Sequence, residues 1–244
     1  MTAPILIFGG SGGVGAALAS RLLVRGLPIH IAARDPERLA QCSAKLGGCR
    51  YTVCDAADEA SLANAVAEAS ASGGGLSGLA WCVGSIVLKP LKRATADDFL
   101  AAFRLNVVGA ALAIQAAEQA LRLARGSVVL FSSVAAGSGF PNHPVIAAAK
   151  GAVEALTRSL AADLAPEVRV NCIAPSLVRT PLAAALTSSE QMAKSIAALH
   201  PLPRLGEADD IAAAAAFFLT GDSDWITGQV LSVDGGRGTV RTKG

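Results

Sequence analysis

One tyrosine, two tryptophans and seven phenylalanines are all the aromatic residues in this 244-residue chain, and the tyrosine is Tyr51. Charge is scarce as well: Asp, Glu, Lys and Arg make up 16% of the residues and leave a net charge of +2. No run of basic residues appears, so the electrostatic footprint that nucleic acid requires is missing and no such partner is expected. The five cysteines, at 42, 49, 54, 82 and 172, are odd in number and contain no C-x-x-C pair. They read as small buried hydrophobes, not as disulfides or zinc ligands, and no metal site is expected. The longest unbroken apolar run, Ile211 to Leu219, is too short to cross a bilayer, and no basic segment precedes the first hydrophobic residues. Neither a membrane partner nor a signal peptide is supported, which points to the cytoplasm.

What the chain does have is apolar bulk: 52% of its residues are hydrophobic, enough to exclude disorder and to fill a thick two-sided core or buried subunit contacts. At this length a single α/β domain over residues 1–244 fits best. The most informative stretch is Ile5 to Gly15, in which four apolar residues run into five glycines and then into an Ala/Leu-rich helical pattern. Strand, tight turn and helix follow one another there. Glycines at 9, 13 and 15 let the backbone turn sharply and come close to a ligand, and the free N–H groups of the helix's first turn suit a pyrophosphate. Taken alone, the same residues also fit a flexible loop.

The alternation continues along the chain. A helix from about Val14 to Arg25 stops at Gly26, and a second strand from near Pro28 ends at Arg34, with Asp35 as the cap of the next helix and Pro36 at its first position. Arg34 is placed to meet a ribose 2′-phosphate, or is simply a solvated cation beside a cap. A third strand over Cys49 to Cys54 delivers Asp55, which either reaches an adenine or caps the following helix. A fourth covers Leu79 to Val83. The long helix after Thr95 opens with a capping-box pair, Thr95 and Asp98, and carries Asn106 within an apolar face, where burial demands a hydrogen-bond partner. Gly126 ends that helix. Strands at Ser127 to Phe131, Arg169 to Ala174 and Gln229 to Val233, with helices at Val145 to Leu164 and Asp209 to Thr220, complete the pattern. Residues 176–206 loosen into short helical pieces broken by prolines and read as a lid over a substrate site. Seven strands alternating with helices predict a Rossmann-like, doubly wound parallel sheet, with ligands at the carboxyl ends of its strands.

Across Ile5 to Gly236 the sequence resembles the short-chain dehydrogenase/reductase family. The matching pieces are Gly9-x-x-x-Gly13-x-Gly15, Asp55, Asn106, Ser132-Ser133, Lys150 with the residues after it to Leu160, Asn171 to Pro175, Thr180, and Ile226 to Gly236. The resemblance implies that Ser133 orients a substrate oxygen, that Lys150 holds the nicotinamide ribose, and that Asn106 fixes a water in a proton relay. It further implies cofactor contacts from Gly9, Ser11, Gly13, Val14, Gly15, Arg34, Asp55, Ala56, Val83, Gly84, Lys150, Pro175, Val178 and Thr180. A homotetramer or homodimer packed through the helices after Thr95 and Pro144 is also implied.

The family's tyrosine, four residues before the lysine, is here Ile146, and the expected spacing of thirteen from Ser133 is kept. A ketone that accepts hydride on carbon must gain a proton on oxygen, and isoleucine has none to give; loss of a positioned acid typically costs about 10²- to 10⁴-fold in rate. If His143 caps the helix that begins at Pro144, residues 143, 146, 147 and 150 share a face and an imidazole can approach the vacated place. An exposed loop histidine is the other reading. Phe8, Trp81-Cys82-Val83-Gly84 and Ser176 also depart from the family's pattern. Gly12 stands where NADP-using members often carry a basic residue, leaving Arg34 to favour NADP over NAD, which stays possible. Two expectations follow: an NADP(H)-dependent oxidoreductase of a small carbonyl or alcohol whose proton comes from His143, Ser133, water or the substrate, or a dinucleotide-binding sensor or partner subunit without turnover. Reduction of an activated C=C bond stays open as a third.

Overall fold

The structure, a computed structural model, describes residues 3–241. Short, mostly apolar runs of four to seven residues form the strands of the main sheet, and largely Ala-rich segments form the helices between them. In chain order these are β1 (Ile5–Phe8), α1 (Gly13–Val24), β2 (Ile29–Ala33), α2 (Pro36–Lys45), β3 (Arg50–Val53), α3 (Glu59–Ser70) and β4 (Gly78–Trp81). Then come α4 (Ala96–Phe103), α5 (Gly109–Ala124), β5 (Ser127–Phe131), α6 (Pro144–Leu164) and β6 (Arg169–Pro175). The remainder is β7 (Val178–Arg179), α7 (Ala184–Thr187), α8 (Glu190–Ala197), β8 (Gly206–Glu207), α9 (Ala208–Leu219) and β9 (Val230–Val233).

Seven of the strands make one parallel sheet in the order β3-β2-β1-β4-β5-β6-β9, as expected of a doubly wound fold. The order reverses between β1 and β4, which opens a crevice at their carboxyl ends. The two-residue period of a strand divides the core into two layers. Leu6, Phe8, Leu79, Trp81, Val128 and Leu130 face α3, α5 and α6; Ile5, Ile7, Ile31, Ala80, Val129 and Ile173 face α1 and α9.

Caps set most helix starts. Asp35 accepts from the Arg38 N–H with Pro36 in the first turn, and Thr95 and Asp98 form the reciprocal capping box. Two terminal signals were placed differently by the sequence. The residue that caps α3 is Asp58, which accepts from Ala60 N–H, while Asp55 turns back on Ala57 N–H. The left-handed residue ending α5 is Arg125 (φ 50°), so Gly126 follows the stop and does not make it; a Cβ there would meet the Leu76 carbonyl at 2.6 Å. The long helix after Thr95 is also not uniform: Arg104 to Val108 winds as a π-helical turn between α4 and α5. The combined stretch Ala96–Ala124 is long and apolar enough, by length and composition alone, to cross a membrane. Here it lies along the sheet, with Ala110, Ala113, Ile114, Ala117 and Leu121 buried. The β7–β8 pair, not foreseen, ties together the two ends of the 176–206 excursion.

Trp81, the first of the departing residues Trp81-Cys82-Val83-Gly84, is the last residue of β4. It is 2% exposed, its ring centroid lies 5.1 Å from that of Phe8, and Gly109 leaves it room, since a Cβ there would come within 2.9 Å of the indole. Its Nε1 is buried without an acceptor among the described residues. Truncation and conservative replacement therefore diverge. Trp81→Ala is expected to cost about 3–5 kcal/mol, and Trp81→Phe, which also removes an unpaired donor, less than about 1.5 kcal/mol. Urea midpoints measure both, and equal losses would mean that packing is not what holds this strand end.

Candidate active site

A cavity of about 390 Å³ opens at the carboxyl ends of β1, β4, β5 and β6. It is lined by Val14, Val83, Gly84, Ser133, His143, Ile146, Lys150, Pro175, Val178 and Thr180, so nine of the expected site residues meet there, together with the isoleucine in the tyrosine's place. Gly9, Ser11, Gly13 and Gly15 form the turn beside it. Arg34 and Asp55 are exposed at the ends of β2 and β3, farther along the same sheet edge, and Ala56 is buried next to Asp55.

The glycine turn is tight for stated reasons. Gly9 has φ +72°, and a Cβ on it would come within 2.8 Å of the Cys82 carbonyl; a Cβ on Gly15 would lie 2.3 Å from the Gly9 carbonyl. A Cβ on Gly13 would lie 2.7 Å from the Thr180 methyl, so the turn closes against the start of the excursion. The cap position of α1, Gly12, offers no side-chain acceptor, and no acid occupies the first turn, in contrast to α2, α3 and α4. Free N–H groups and the positive end of the helix dipole there suit an anion. The second strand ends on Arg34, and the carboxylate beside it, Asp35, is engaged by α2. These residues fit a nicotinamide dinucleotide.

Lys150 is carried by α6 into the end of the sheet, where its Nζ donates to the Phe131 carbonyl at 2.8 Å. Ser132 clamps the same turn of α6, bonding to the Lys150 carbonyl at 3.0 Å and to a Glu154 carboxylate oxygen at 2.8 Å. Asn106 sits in the π-helical turn: its Nδ2 donates to the Ala102 carbonyl (2.8 Å) and to Ser85 (3.3 Å), while its buried Oδ1 has no partner among the described residues. A Cβ at Gly84 would lie 3.0 Å from Asn106 Oδ1 and 3.3 Å from Lys150 Nζ. Glycine at 84 thus keeps both polar atoms facing open space. The amide partner that the sequence left undecided is backbone and Ser85 for the nitrogen, and nothing for the oxygen.

Ser133 accepts from Ala135 N–H at 3.2 Å, which leaves its hydroxyl proton to donate. His143 caps α6 by position only, without a side-chain bond to it. Its Nδ1 instead lies 2.7 Å from the Pro141 carbonyl, and because a carbonyl only accepts, the proton sits on Nδ1 and Nε2 is the free nitrogen. Ile146, one turn on, is 5% exposed and closes the wall between His143 and Lys150. The other two histidines have structural partners: His30 bonds Thr52, and His200 bonds Ser176 at 2.8 Å and ties the excursion to the end of β6. Sequence reasoning missed Ser85, the Ser132 clamp and Arg237, which also lines the cavity; none of them stands out by type or spacing.

A family model described as enoyl-(acyl carrier protein) reductase matches residues 9–237. A tropinone reductase homologue of Arabidopsis thaliana is 33% identical over 238 residues, covering 95% of this chain and 90% of its own. The 3-oxoacyl-[acyl-carrier-protein] reductase of Bos taurus is 34% identical over 233 residues, 94% and 95% of the two chains. The chain belongs to the short-chain dehydrogenase/reductase family. Among solved structures, a short-chain type dehydrogenase/reductase from Mycobacterium ulcerans superposes with a TM-score of 0.91 at 33% identity, covering 99% and 92%. ElxO with NADP bound superposes at 0.89 and 28% identity, covering 97% and 99%. Membership places the protein among the NAD(P)H-dependent oxidoreductases.

Burial pushes the Lys150 ammonium down from 10.5 to about 8. Unfolding returns it to its ordinary value. Between about pH 8 and 10.5 the unfolded chain therefore holds a proton that the folded chain has shed, and the free energy of unfolding rises with pH across that window. Lys150→Met should flatten this rise. Denaturant titrations of both proteins through the window test it, and identical slopes would show that the ammonium is better solvated than its surroundings indicate.

Proposed function

We propose that this protein is a cytoplasmic NADP(H)-dependent reductase of small carbonyl compounds, working reversibly on the alcohols, in which His143 replaces the family's tyrosine as proton donor. The observation that carries this reading is the convergence of Ser133, His143 and Lys150 on one cavity wall around Ile146. The first turn of α1, with Gly9, Ser11, Gly13, Val14 and Gly15, would take the pyrophosphate, and Arg34 the 2′-phosphate. Asp55 and Ala56 would border the adenine; Val83, Gly84, Pro175, Val178 and Thr180 would border the nicotinamide, with its ribose on Lys150. When bound, the reduced nicotinamide supplies a hydride.

The chain's own residues then manage the oxygen. The Ser133 hydroxyl donates to the substrate oxygen and orients the carbonyl. Protonated His143 donates from Nε2 as negative charge develops there, while Nδ1–H stays on the Pro141 carbonyl and holds the ring in place. Asn106 Oδ1 accepts from water entering beside Gly84, and Lys150 keeps positive charge close to the developing alkoxide. The 176–206 segment acts as a lid on this one domain, since Leu182, Leu186 and Ile196 line the cavity from above. Assembly as a homodimer or homotetramer would cover Leu100, Phe103 and Leu123, large apolar side chains left exposed along 96–124.

Ile146 favours a second reading, a dinucleotide-binding protein without turnover. A form of ElxO with a tyrosine replaced by phenylalanine has NADPH bound, so loss of a phenol and dinucleotide binding are compatible in a related chain. Two substitutions decide between the readings. His143→Ala should lower carbonyl reduction by about 10²- to 10⁴-fold with NADPH affinity nearly unchanged, and Ile146→Tyr in that variant should restore much of the rate. Undiminished reduction in His143→Ala removes the imidazole from the mechanism. NADPH binding with no turnover in either the native chain or Ile146→Tyr supports the second reading.

Cofactor choice rests on Arg34. Its exchange for Ala should weaken NADPH about 10- to 100-fold in calorimetry and leave NADH unaffected. Equal native affinities for the two dinucleotides would count against an NADP preference.

A further inference from the structure

Arg237 follows Asp234-Gly235-Gly236 after β9 and reaches back to the wall of the cavity. Its guanidinium lies over the Phe140 ring, 4.9 Å from the centroid, and Phe140 in turn meets the edge of His143 at 5.5 Å. Nη1 is buried and has no hydrogen-bond partner among the described residues. The acid nearest in sequence does not serve it: both Asp234 oxygens are taken, one by Gly236 N–H and the other by Gly238 N–H. Burial lowers the Arg237 pKa but leaves it a cation at any physiological pH. A buried, unpaired guanidinium donor is costly to keep unless something it binds completes it.

The surroundings limit what that partner is. The cavity that Arg237 lines is walled largely by hydrocarbon, with Ile86, Leu88, Leu182, Leu186 and Ile196 among its lining residues. Lys150 gives one donor to the Phe131 carbonyl, and on the reading above its others serve the nicotinamide ribose, which leaves Arg237 as the cation for the far end of a substrate. One guanidinium neutralises a monoanion and presents the planar fork that a carboxylate accepts in two bonds; a phosphate dianion would stay half-compensated in an apolar pocket.

We propose that Arg237 is a specificity-determining residue of this cavity and binds the carboxylate of an oxo acid whose apolar chain lies against Leu182, Leu186 and Ile196. This rests on the cavity being the substrate site, with the carbonyl end at Ser133 and His143 and the carboxylate at Arg237. Phe140 links the two ends, since its ring touches both the imidazole and the guanidinium.

The test uses binding, so that it stands apart from turnover. A ladder of 4-oxopentanoate, 6-oxoheptanoate and 8-oxononanoate is titrated by calorimetry into protein saturated with NADP⁺, and the methyl ester of each is titrated in parallel. At least one acid should bind about ten- to a hundredfold more tightly than its ester. Arg237→Met should erase that preference without weakening the ester, and Arg237→Lys should keep part of it. The assignment is overturned if acids and esters bind alike, if none of them binds, if Arg237→Met leaves the preference intact, or if heptyl phosphate outcompetes every acid. NADPH oxidation with the same compounds is followed separately. A binding preference without turnover counts against the reductase reading alone, and turnover without the preference counts against Arg237 alone.

Discussion

Lys150 is a cation carried into the end of a sheet whose other occupants are mostly hydrocarbon, and the site is arranged around keeping it there. The Phe131 carbonyl accepts from it because Phe131 is the last residue of β5 and the chain turns away immediately afterwards. Ser132, the next residue, bonds to the Lys150 carbonyl and so fixes the turn of α6 that bears it. One loop therefore holds both ends of the lysine. Ser133 follows and takes the cavity wall, with its oxygen pinned by Ala135 N–H. If α6 slid by a turn, the ammonium would lose its Phe131 acceptor, the one it has among the described residues, in a medium where an unpaired charge costs several kcal/mol. The register of α6 against β5 is thereby set by one hydrogen bond to a charged group and one clamp on its backbone.

That register explains why Ile146 is tolerated. A residue one turn before Lys150 is committed to the same wall, whatever its type. A phenol there would have shared the polar work, whereas an isoleucine adds only hydrocarbon and makes the surroundings of Lys150 drier. The packing of α6 gains and the proton supply loses, and neither effect disturbs the turn of α1 or the end of β2, which lie on other elements. The glycine turn and Arg34 are therefore separable from the position of Ile146, because different elements carry them, whereas Lys150 shares α6 with it.

Much of this was legible in the sequence because its physics is local. A strand of Ile and Leu running into glycines, Asp35 before Pro36 and Thr95 three residues before Asp98 each declare an element from nearest neighbours alone. The parallel, doubly wound sheet and the gathering of Val14, Gly84, Ser133 and Pro175 at the ends of its strands followed from the alternation of elements, whereas Lys150 was marked by the resemblance and His143 by its spacing from Ile146. What stayed hidden depends on distant partners or on one-residue choices between equals. Asp55 and Asp58 are both plausible caps three residues apart, and only the backbone decides between them. The π-helical turn at Arg104 to Val108 leaves no mark in a run that reads as ordinary helix, yet it leaves Asn106 Oδ1 unpaired. The two-residue strands β7 and β8 pair across more than twenty residues, with no pattern long enough to notice. Arg237 is one of three basic residues in a polar tail, with Arg241 and Lys243, and only its fold-back onto Phe140 gives it meaning.

Exchange of a phenol for hydrocarbon has a consequence for the charges that remain. In a wall with fewer dipoles, the effective dielectric falls, and a hydrogen bond to an ion gains strength when made and costs more when absent. The unpaired Nη1 of Arg237 and the unpaired Oδ1 of Asn106 face that penalty together, and they sit on elements far apart in the chain. On the proposed reading a cavity so built discriminates by polarity more sharply than by size: an apolar chain enters at little cost, but what satisfies Arg237 is a ligand that brings it an acceptor. Shape alone does not provide that, because the hydrocarbon walls from Leu182 to Ile196 belong to a segment anchored toward its ends, by the His200–Ser176 and Leu202–Gly235 bonds, the Arg204–Asp210 ion pair and the short β7–β8 pair. On the proposed reading the fixed points of recognition are the two polar ends of the cavity, Ser133 with His143 and Arg237, and the segment between adapts to the chain that joins them.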